Sequence, residues 1–386
     1  MKRTSSLLQL LLALLLLTMQ SSSERISVIG GGNWGTAMAR HLAKENKNEE
    51  PVKMWVFEEV VQGQNLTDMI NSSGMNSKYL PNVKLPLNLK ASCDITEVCQ
   101  GADVIFLAIP HQFIHRVLQT MVGHVNKDTV VCSLTKGLLV DERGPQLISS
   151  MIRDVLDLDT EVAVLCGANV ARDVACDEFV EASVACRDLD IACQVKRLVH
   201  SKRFEIDFLT TDVSSVELSG ALKNVVALGA GFCDGLGVGP STKAAIIRKG
   251  MQDMATFCGL YTEHGVQVDT ILSSCFVGDV IATSFGGRNR KCAQEYARKM
   301  VEIVDEEKEE GVTGGSGGIG KVRAAKLWAD IEIELLDGQK LQGLSTCDEV
   351  IACLHSQETD RLKQYVIFPS LYDIAIEGRD VRTLLE

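Results

Sequence analysis

Short apolar runs alternate with segments of helical periodicity from Arg25 to about residue 208. The runs ISVIG, VKMWVFEE (Val52–Glu59), ADVIFLAIP, TVVCSLTKG and EVAVLCGAN predict strands, and the segments between them predict helices. Continuous apolar strands separated by helices are typical of a parallel sheet that helices cover on both faces. The first part of the chain, residues 24–208, is therefore predicted to form an α/β domain.

Long helical periodicities dominate after about Phe208, as in SSVELSGALKNVVALGAGF and STKAAIIRKGMQDMATF. They predict a mostly α-helical second domain over residues 209–386. Residues 306–328 interrupt it with a glycine run, which predicts an exposed, mobile insertion. Gly315, Gly320 and Lys321 have the spacing of a phosphate-binding P-loop, but Val322 stands where Ser or Thr should bind magnesium.

The N-terminus and the cysteines indicate different compartments. Residues 1–23 combine a basic start with a short apolar stretch, which is typical of a secretory signal peptide, although an upstream exon joined in error would look the same. The thirteen cysteines are an odd number, contain no C-x-x-C pair and mostly lie in apolar runs. They are therefore expected to be buried thiols in a reducing compartment, with no metal site among them.

Composition narrows the classes of partner. The chain has 386 residues with 46% hydrophobic residues, and this suits a protein of two or three globular domains. Its formal net charge of −12, without a basic stripe, argues against nucleic acid as a partner. An anionic small substrate would need a local basic pocket.

A glycine motif follows the first predicted strand and opens a helix. Gly30, Gly32 and Gly35 form G-x-G-x-x-G, and a second strand ends in Glu58 and Glu59 about twenty residues later. In that context the glycines allow a tight turn, close approach of a pyrophosphate and packing of helix on strand. The motif predicts a Rossmann-type site for a dinucleotide, and the acidic strand end favours NAD over NADP.

Ten blocks in order, among them GGGNWGTAMA, YLPNVKLP, SLTKG, GALKNVVALGAGFCDGLG, GGRNRK and GQKLQG, resemble the eukaryotic-type NAD-dependent glycerol-3-phosphate dehydrogenases. The resemblance implies reversible reduction of dihydroxyacetone phosphate by NADH to glycerol 3-phosphate, which links glycolysis to glycerolipid and redox metabolism. It also implies a cytoplasmic homodimer. It does not extend over the leader or over residues 306–328.

Hydride transfer to a ketone leaves negative charge on oxygen, so a proton donor is needed. Lys223 lies in an apolar helix, where its charge needs partners and its pKa should be lowered. Asp279, also in an apolar helix, needs a cation, which is expected to be Lys223, and Thr283 shares its helix face. The resemblance implies that Lys223 is the general acid/base and that Lys136 contacts the substrate and supports it.

Each of these residues has an ordinary structural alternative. Lys223 could extend its ammonium group to the surface, Lys136 could be a solvated loop lysine, and Asp279 could form a purely structural ion pair. Arg288 could be a surface arginine, although a guanidinium fork beside glycines suits a phosphate. His111 is predicted to be structural, since the family uses a lysine.

The resemblance implies further binding residues. Those for the substrate are Lys136, Asn224, Arg288 and Asn289. Those for the cofactor are Gly30, Gly31, Gly32, Asn33, Trp34, Gly35, Phe57, Phe113, Asn169, Ala171, Arg288, Lys340 and Gln342, of which Lys340 and Gln342 match a mobile loop that covers the cofactor. Two other functions stay open: a related two-domain hydroxyacid dehydrogenase, and an NAD-binding protein that the insertion has impaired catalytically.

Overall fold

The computed structural model of the chain describes residues 24–46, 50–141, 144–262, 265–309, 317–336, 339–356 and 361–386. The predicted leader, residues 1–23, lies outside the described residues. So do residues 310–316, which contain part of the predicted glycine-rich insertion.

Within these ranges the chain alternates strands and helices in its first part and is helical in its second. The strands are β1 (Ile26–Ile29), β2 (Val52–Trp55), β3 (Val60–Val61), β4 (Gln64–Asn65), β5 (Leu89–Ser92), β6 (Val104–Leu107), β7 (Val130–Ser133), β8 (Leu139–Asp141), β9 (Gly144–Gln146), β10 (Ala163–Cys166), β11 (Val180–Ala185) and β12 (Phe204–Thr210). The α-helices are α1 (Asn33–Glu45), α2 (Leu66–Ser73), α3 (Ile95–Cys99), α4 (His111–Met121), α5 (Ile148–Leu156), α6 (Ala171–Ala175), α7 (Leu189–Val199), α8 (Val213–Gly235), α9 (Pro240–Gly259), α10 (Val268–Leu272), α11 (Asp279–Phe285), α12 (Arg288–Glu309), α13 (Lys321–Leu336), α14 (Gln342–Ser356) and α15 (Phe368–Ala375). A π-helical turn, Ser274–Gly278, precedes α11, and 3-10 turns lie at Arg361–Gln364 and Val381–Leu385.

Eight strands form one sheet in the order β12-β11-β10-β7-β6-β1-β2-β5. Neighbouring strands are parallel, except that β10 and β11 pair antiparallel. The strand order reverses beside β1, whose neighbours are β2 and β6, and a doubly wound sheet binds ligands at the carboxyl ends of the strands around such a point. The predicted α/β class is therefore confirmed, and the glycine turn after β1 lies at this point.

The central strands are almost entirely apolar because helices cover both faces of the sheet. Side chains of α1, α2 and α7 pack on one face, and those of α3, α4 and α5 pack on the other. All four residues of β1, β6, β7 and β10 are buried. Buried on both faces, such strands lose the alternation of apolar and polar residues that a half-exposed strand shows.

One predicted strand end needs correction, and the expected domain boundary lies within a strand. The second strand was expected over Val52–Glu59 but ends at Trp55, so Phe57, Glu58 and Glu59 lie beyond it, in the loop that leads to the β3–β4 hairpin. The domain boundary expected near residue 208 falls inside β12, which pairs with β11 along its whole length. The chain leaves the sheet only after Thr210.

Helix α8 is the centre of the helical part. Every residue from Ser215 to Cys233 is buried, and α9, α11, α12 and α14 all pack against it. Its length and apolar composition are those of a membrane span, but its most apolar window is 100% buried inside the protein. Gly231 and Gly235 let α12 approach closely, because a Cβ on either would lie within 2.4 Å of a carbonyl oxygen of α12.

The described part of residues 306–328 is not an exposed insertion. Residues 306–309 complete α12, and α13 begins at Lys321. Trp328 is 3% exposed, stacks on Tyr296 with ring centroids 4.0 Å apart, and donates from Nε1 to the Ala375 carbonyl at 2.9 Å. The glycine run obscured an apolar helical pattern that begins directly after it, at Ala324, Leu327 and Trp328.

Candidate active site

The glycine turn after β1 is as tight as its sequence predicts. Gly30 has φ +125°, and a Cβ there would lie 2.5 Å from the Ala108 carbonyl oxygen. A Cβ on Gly35 would lie 1.8 Å from the Gly30 carbonyl oxygen, whereas a Cβ on Gly32 would meet nothing within 4 Å. Two glycines therefore fix the turn against β6 and α1, and the third leaves open space in front of it.

The open side of the turn suits an anionic group. Gly32 is the N-cap of α1, and no side chain caps the helix there, so its first backbone N–H groups point outward. Asn33, the first helical residue, is exposed. The buried Trp34 Nε1 and Asn169 Nδ2 have no hydrogen-bond partner among the described residues. These features fit a dinucleotide whose pyrophosphate lies at the helix N-terminus.

Asn76 supports the glycine turn, although it is not among the residues predicted from the sequence. It is 0% exposed and donates from Nδ2 to the Gly31 carbonyl at 2.9 Å and to Thr36 Oγ1 at 2.9 Å. Thr36 Oγ1 in turn donates to the Gly31 carbonyl at 3.1 Å. The only signal in the sequence was an asparagine shortly before the YLPN block, and asparagine is common in turns of every kind.

A pair of alanine substitutions separates the two roles of the glycines. Gly35→Ala is expected to lower the melting temperature and abolish NADH binding, since its methyl group would overlap the Gly30 carbonyl. Gly32→Ala should keep the melting temperature within about 2 °C and weaken NADH binding roughly tenfold, since its methyl group enters the open side of the turn. Thermal unfolding and NADH fluorescence titration measure both. Equal loss of stability in the two variants would contradict this assignment.

The acidic residues after β2 are held by neighbouring side chains. Glu58 accepts hydrogen bonds from the Thr67 hydroxyl and backbone N–H, and although burial opposes the change, these bonds lower its pKa. Glu59 pairs with Lys78 and accepts from the Tyr79 hydroxyl at 2.5 Å. Both carboxylates therefore stay charged beside the turn, where they would repel the extra phosphate of NADP.

Phe57 and Phe113, which the resemblance places among the cofactor-binding residues, are on the surface. Phe57 is 69% exposed and meets Trp55 edge to face, and Phe113 in the first turn of α4 is 55% exposed. Ala171 begins α6 and is half-buried. Exposed aromatic rings beside a binding turn are available for stacking on a ligand, which a core position would prevent.

Lys136, Asp279 and Lys223 form one buried group, called here the lysine–aspartate cluster. Lys223 Nζ lies 2.5 Å from Asp279 Oδ1, and Lys136 Nζ lies 2.8 Å from Asp279 Oδ2. Lys223 and Asp279 are 8% and 3% exposed. The pairing of Asp279 with Lys223 expected from the sequence is present, and Lys136 shares the same carboxylate.

The charges of the cluster shift its proton affinities. Burial lowers the pKa of Lys223 to about 8; the Asp279 carboxylate opposes this, and the charge of Lys136 adds to it. Burial would also lower the pKa of Lys136, but the carboxylate outweighs it and raises that pKa. Burial would raise the pKa of Asp279, but the two ammonium groups outweigh it, so that pKa is lowered. With two cations and one anion, the proton is lost first from Lys223.

Three further groups surround the cluster. Thr283 Oγ1 accepts from Lys223 Nζ at 3.0 Å, as its place one turn after Asp279 predicts. The Gly167 carbonyl accepts from Lys136 Nζ at 3.3 Å. Cys166 Sγ lies 3.8 Å from Asp279 Oδ2. The sequence indicated only a buried thiol for Cys166; its position at the end of β10, directly before GAN, was the available signal.

The cluster lies at the same edge of the sheet as the glycine turn. Lys136 follows β7 and Gly167 follows β10, while the glycine turn follows β1 and contacts Ala108 after β6. Strands β1, β6, β7 and β10 are consecutive in the sheet, so along its edge the turn after β1 is about 10 Å from the end of β7 and about 15 Å from the end of β10. Within the ranges that the structure describes, no group of His, Cys, Asp or Glu is placed to hold a metal ion.

Arg288, Asn289 and Asn224 lie at the start of α12 and beside the cluster on α8. Asn289 Nδ2 donates to Asn224 Oδ1 at 2.9 Å, and both residues are buried. Arg288 is exposed, and its guanidinium donates to Gln339 Oε1 at 2.8 Å. An exposed guanidinium with one neutral partner keeps donors free for an anionic ligand.

Lys340 and Gln342 were expected in a loop that covers the cofactor. Lys340 Nζ pairs with Glu332 of α13 at 2.6 Å, and the same carboxylate accepts from the Leu341 N–H at 3.0 Å. Gln342 is the first residue of α14. The segment is therefore anchored to α13 through the buried Glu332, while the Lys340 side chain remains 76% exposed.

His111, predicted to be structural, begins α4 next to the loop that carries Lys136. Its ring lies so close to Gly137 that a Cβ there would be 2.4 Å from it, and burial lowers the pKa of its imidazole. Ten of the thirteen cysteines are buried, as their apolar surroundings indicated, and no disulfide joins any of the thirteen, all of which lie within the described residues.

Comparison with known proteins gives one consistent result. Family models described as NAD-dependent glycerol-3-phosphate dehydrogenase N-terminus and C-terminus match residues 25–192 and 212–386. The chain is 39% identical to the glycerol-3-phosphate dehydrogenase 1-like protein of Homo sapiens over 95% of this chain and 97% of the relative. It is 38% identical to the cytoplasmic NAD(+) glycerol-3-phosphate dehydrogenase of Rattus norvegicus, over 93% of this chain and 96% of the relative.

Solved structures agree with the sequence relatives. The glycerol-3-phosphate dehydrogenase of Plasmodium falciparum superimposes with a TM-score of 0.81 at 30% identity, covering 96% of each chain. The enzyme from Saccharomyces cerevisiae superimposes with a TM-score of 0.78 at 34% identity, covering 94% of this chain and 98% of that one. Together with the dinucleotide turn, these matches show that the chain is an oxidoreductase acting on CH–OH groups with NAD, and that it belongs to the NAD-dependent glycerol-3-phosphate dehydrogenase family.

Proposed function

We propose that this protein catalyses the reversible reduction of dihydroxyacetone phosphate to sn-glycerol 3-phosphate with NADH. The observation that carries the proposal is the buried lysine–aspartate cluster. It lies at the same edge of the sheet as the dinucleotide turn, and the lowered pKa of Lys223 suits a group that exchanges a proton. The names of the relatives and of the solved structures support the same substrate.

Lys223 is the proposed general acid/base. Bound NADH supplies the hydride, which goes to the carbonyl carbon of the ketone. As negative charge develops on the carbonyl oxygen, Lys223 donates a proton from Nζ to it and becomes a neutral amine. In the reverse direction the neutral amine takes the hydroxyl proton of glycerol 3-phosphate while hydride leaves the carbon.

The other residues hold this proton at the reacting oxygen. Asp279 and Thr283 accept hydrogen bonds from Lys223 Nζ, and so orient its remaining N–H bond. Lys136 keeps Asp279 charged and is also proposed to contact the substrate. Arg288, Asn289 and Asn224 are proposed to bind the substrate phosphate. The residues proposed to bind the cofactor are Gly30, Gly31, Gly32, Asn33, Trp34, Gly35, Phe57, Phe113, Asn169, Ala171, Arg288, Lys340 and Gln342.

The two reaction directions are expected to depend on pH in opposite ways. Reduction needs protonated Lys223, so its kcat/KM should fall above pH about 8, where this lysine loses its proton. Oxidation of glycerol 3-phosphate needs the neutral amine and should rise over the same interval. Steady-state profiles in both directions from roughly pH 6 to 10 measure this. Profiles with the same sign of pH dependence in both directions would contradict the role of Lys223.

A steady-state assay with dihydroxyacetone phosphate and NADH tests the function itself. Oxidation of NADH well above the rate of the Lys223→Ala variant is expected. A 2-keto acid in place of the ketone phosphate tests the related hydroxyacid dehydrogenase, and NADH fluorescence without turnover of any substrate identifies an impaired NAD-binding protein. Either outcome would overturn the proposal.

The domain roles, the compartment and the assembly are also proposals. Residues 24–208 are proposed to bind NAD and residues 209–386 the substrate, which NADH titration of a chain ending at residue 211 tests. Relatives named cytoplasmic support the cytosol, and secretion of a reporter fused to residues 1–23 would place the protein in the secretory pathway instead. Analytical ultracentrifugation tests the homodimer that the family resemblance implies.

A further inference from the structure

Asp207 lies at an irregularity of the sheet, next to the π-helical turn. Strand β12 pairs with β11 in register up to Ile206 opposite Ala182, and then resumes with Phe208 opposite Ser183. Asp207 is therefore the extra residue of a β-bulge. Bulges redirect a side chain that would otherwise follow the alternation of the strand, and they are common beside active sites.

Both carboxylate oxygens of Asp207 are hydrogen-bonded, although the residue is exposed. Oδ2 accepts from the Ser274 backbone N–H at 2.7 Å, and Oδ1 accepts from Ser183 Oγ at 2.8 Å. Ser183 Oγ in turn accepts from the Cys275 N–H at 3.2 Å. The first two N–H groups of the π-helical turn Ser274–Gly278 are thus bound by Asp207 directly and through Ser183, as a cap binds the start of a helix.

The π-helical turn is held from two other sides as well. Ser274 Oγ accepts from the Ala168 N–H at 3.1 Å, in the loop after β10. Ser219 Oγ donates to the Cys275 carbonyl at 3.1 Å, and Ser219 lies one helical turn before Lys223 on α8. The three contacts join the turn to the sheet, to the loop beside Lys136 and to the helix of the proton donor. A π-helical turn is rare and often occurs at functional sites.

Asp279 follows the turn directly, as the first residue of α11. Its carboxylate must reach Lys136 on one side and Lys223 on the other, so a small rotation of the turn would lengthen one of two close contacts. The charged and titratable groups that face Asp279 are Lys136, Lys223 and Cys166. The charge of Asp207 in turn acts on Glu181 of β11 and on Cys275 of the π-helical turn.

We propose that Asp207 is a positioning residue for the reaction: by holding the start of the π-helical turn, it keeps the Asp279 carboxylate between Lys136 and Lys223. The inference rests on the proposed function of Lys223. It assigns to the bulge in β12, which lies outside the cluster, a role in setting the proton affinity of the donor.

Asp207→Ala is the test. Removal of the cap should lower kcat with dihydroxyacetone phosphate roughly three- to thirtyfold, with a smaller change in KM. Because Lys223 would lose part of its counter-charge, the alkaline limb of the kcat/KM profile for reduction should move to lower pH by roughly half a unit. A residue with only a structural role would lower the melting temperature without moving this limb.

Matched variants complete the experiment. Asp207→Asn keeps a side-chain acceptor for the Ser274 N–H and should restore most of kcat. Glu205→Ala removes a carboxylate from the same strand two residues earlier, and should leave kcat and the limb unchanged. Ser183→Ala removes the second contact and should shift the limb in the same direction, so it tests the inference if Asp207→Ala is insoluble.

The results distinguish failure of the proposed function from failure of the role proposed for Asp207. A wild-type protein without activity on dihydroxyacetone phosphate would overturn the proposed function. An active wild type together with wild-type kcat and pH profile in Asp207→Ala would overturn this inference alone, and so would an equal shift in Glu205→Ala.

Discussion

Lys223→Ala is expected to lower kcat for dihydroxyacetone phosphate by roughly 10²- to 10⁴-fold, the usual contribution of a general acid. KM should change little, because the proton matters only as charge develops on the carbonyl oxygen. The fold should persist, since Asp279 keeps Lys136 as a partner at 2.8 Å.

Lys299→Ala is the matched control. Lys299 also has a carboxylate partner, Glu334 at 2.6 Å, but it is only partly buried and lies on α12 outside the cluster. Because Lys299 lies outside the cluster, its loss should leave kcat within about twofold. It should also leave the protein folded, because a partly exposed ion pair contributes at most about 1 kcal/mol to stability. Near-normal kcat in Lys223→Ala would show that another group donates the proton.

Arg288→Ala is expected to raise KM for dihydroxyacetone phosphate roughly 10- to 100-fold, as the loss of charge-assisted hydrogen bonds to a phosphate predicts. The phosphate is charged before, during and after the reaction, so most of the effect should fall on binding. Some loss of kcat should accompany it, because binding energy distant from the carbonyl also orients the reacting carbon.

Two variants sharpen this prediction. Arg288→Lys keeps the charge but loses the planar fork, and should recover only part of the affinity. Arg298→Ala removes another exposed arginine of α12, paired with Glu295 at 2.6 Å, and should leave KM unchanged. If KM stays unchanged in Arg288→Ala, the phosphate is bound elsewhere.

The sequence alone predicted the features that depend on local pattern. The G-x-G-x-x-G turn is recognisable because its three glycines have a fixed spacing between a strand and a helix, and the close contacts at Gly30 and Gly35 show why two of them must be glycine. The pairing of Lys223 with Asp279 was predictable because a charge in an apolar helix needs a partner, and the chain offers few candidates.

Features that depend on contacts between distant segments were not predictable. The antiparallel pairing of β10 with β11 leaves no local trace, since both strands are largely buried, as the parallel strands beside them are. Asn76 and Cys166 gain their roles only from the backbone and carboxylate that the fold brings to them. The glycine run before α13 led to the prediction of an exposed insertion as far as residue 328. Local composition could not show that Trp328 stacks on the ring of Tyr296.

The central position of α8 has a consequence for amide hydrogen exchange. Its backbone N–H groups are enclosed by four other helices, so no single neighbour can detach and expose them all. Exchange along Ser215–Cys233 should therefore require global unfolding, and should report the full free energy of unfolding of the helical part. Lys223, the proposed proton donor, lies in the middle of this segment, while Arg288 lies at the exposed start of its own helix. The proposed acid therefore lies on a helix that four others enclose, and the proposed phosphate ligand lies at an exposed helix start.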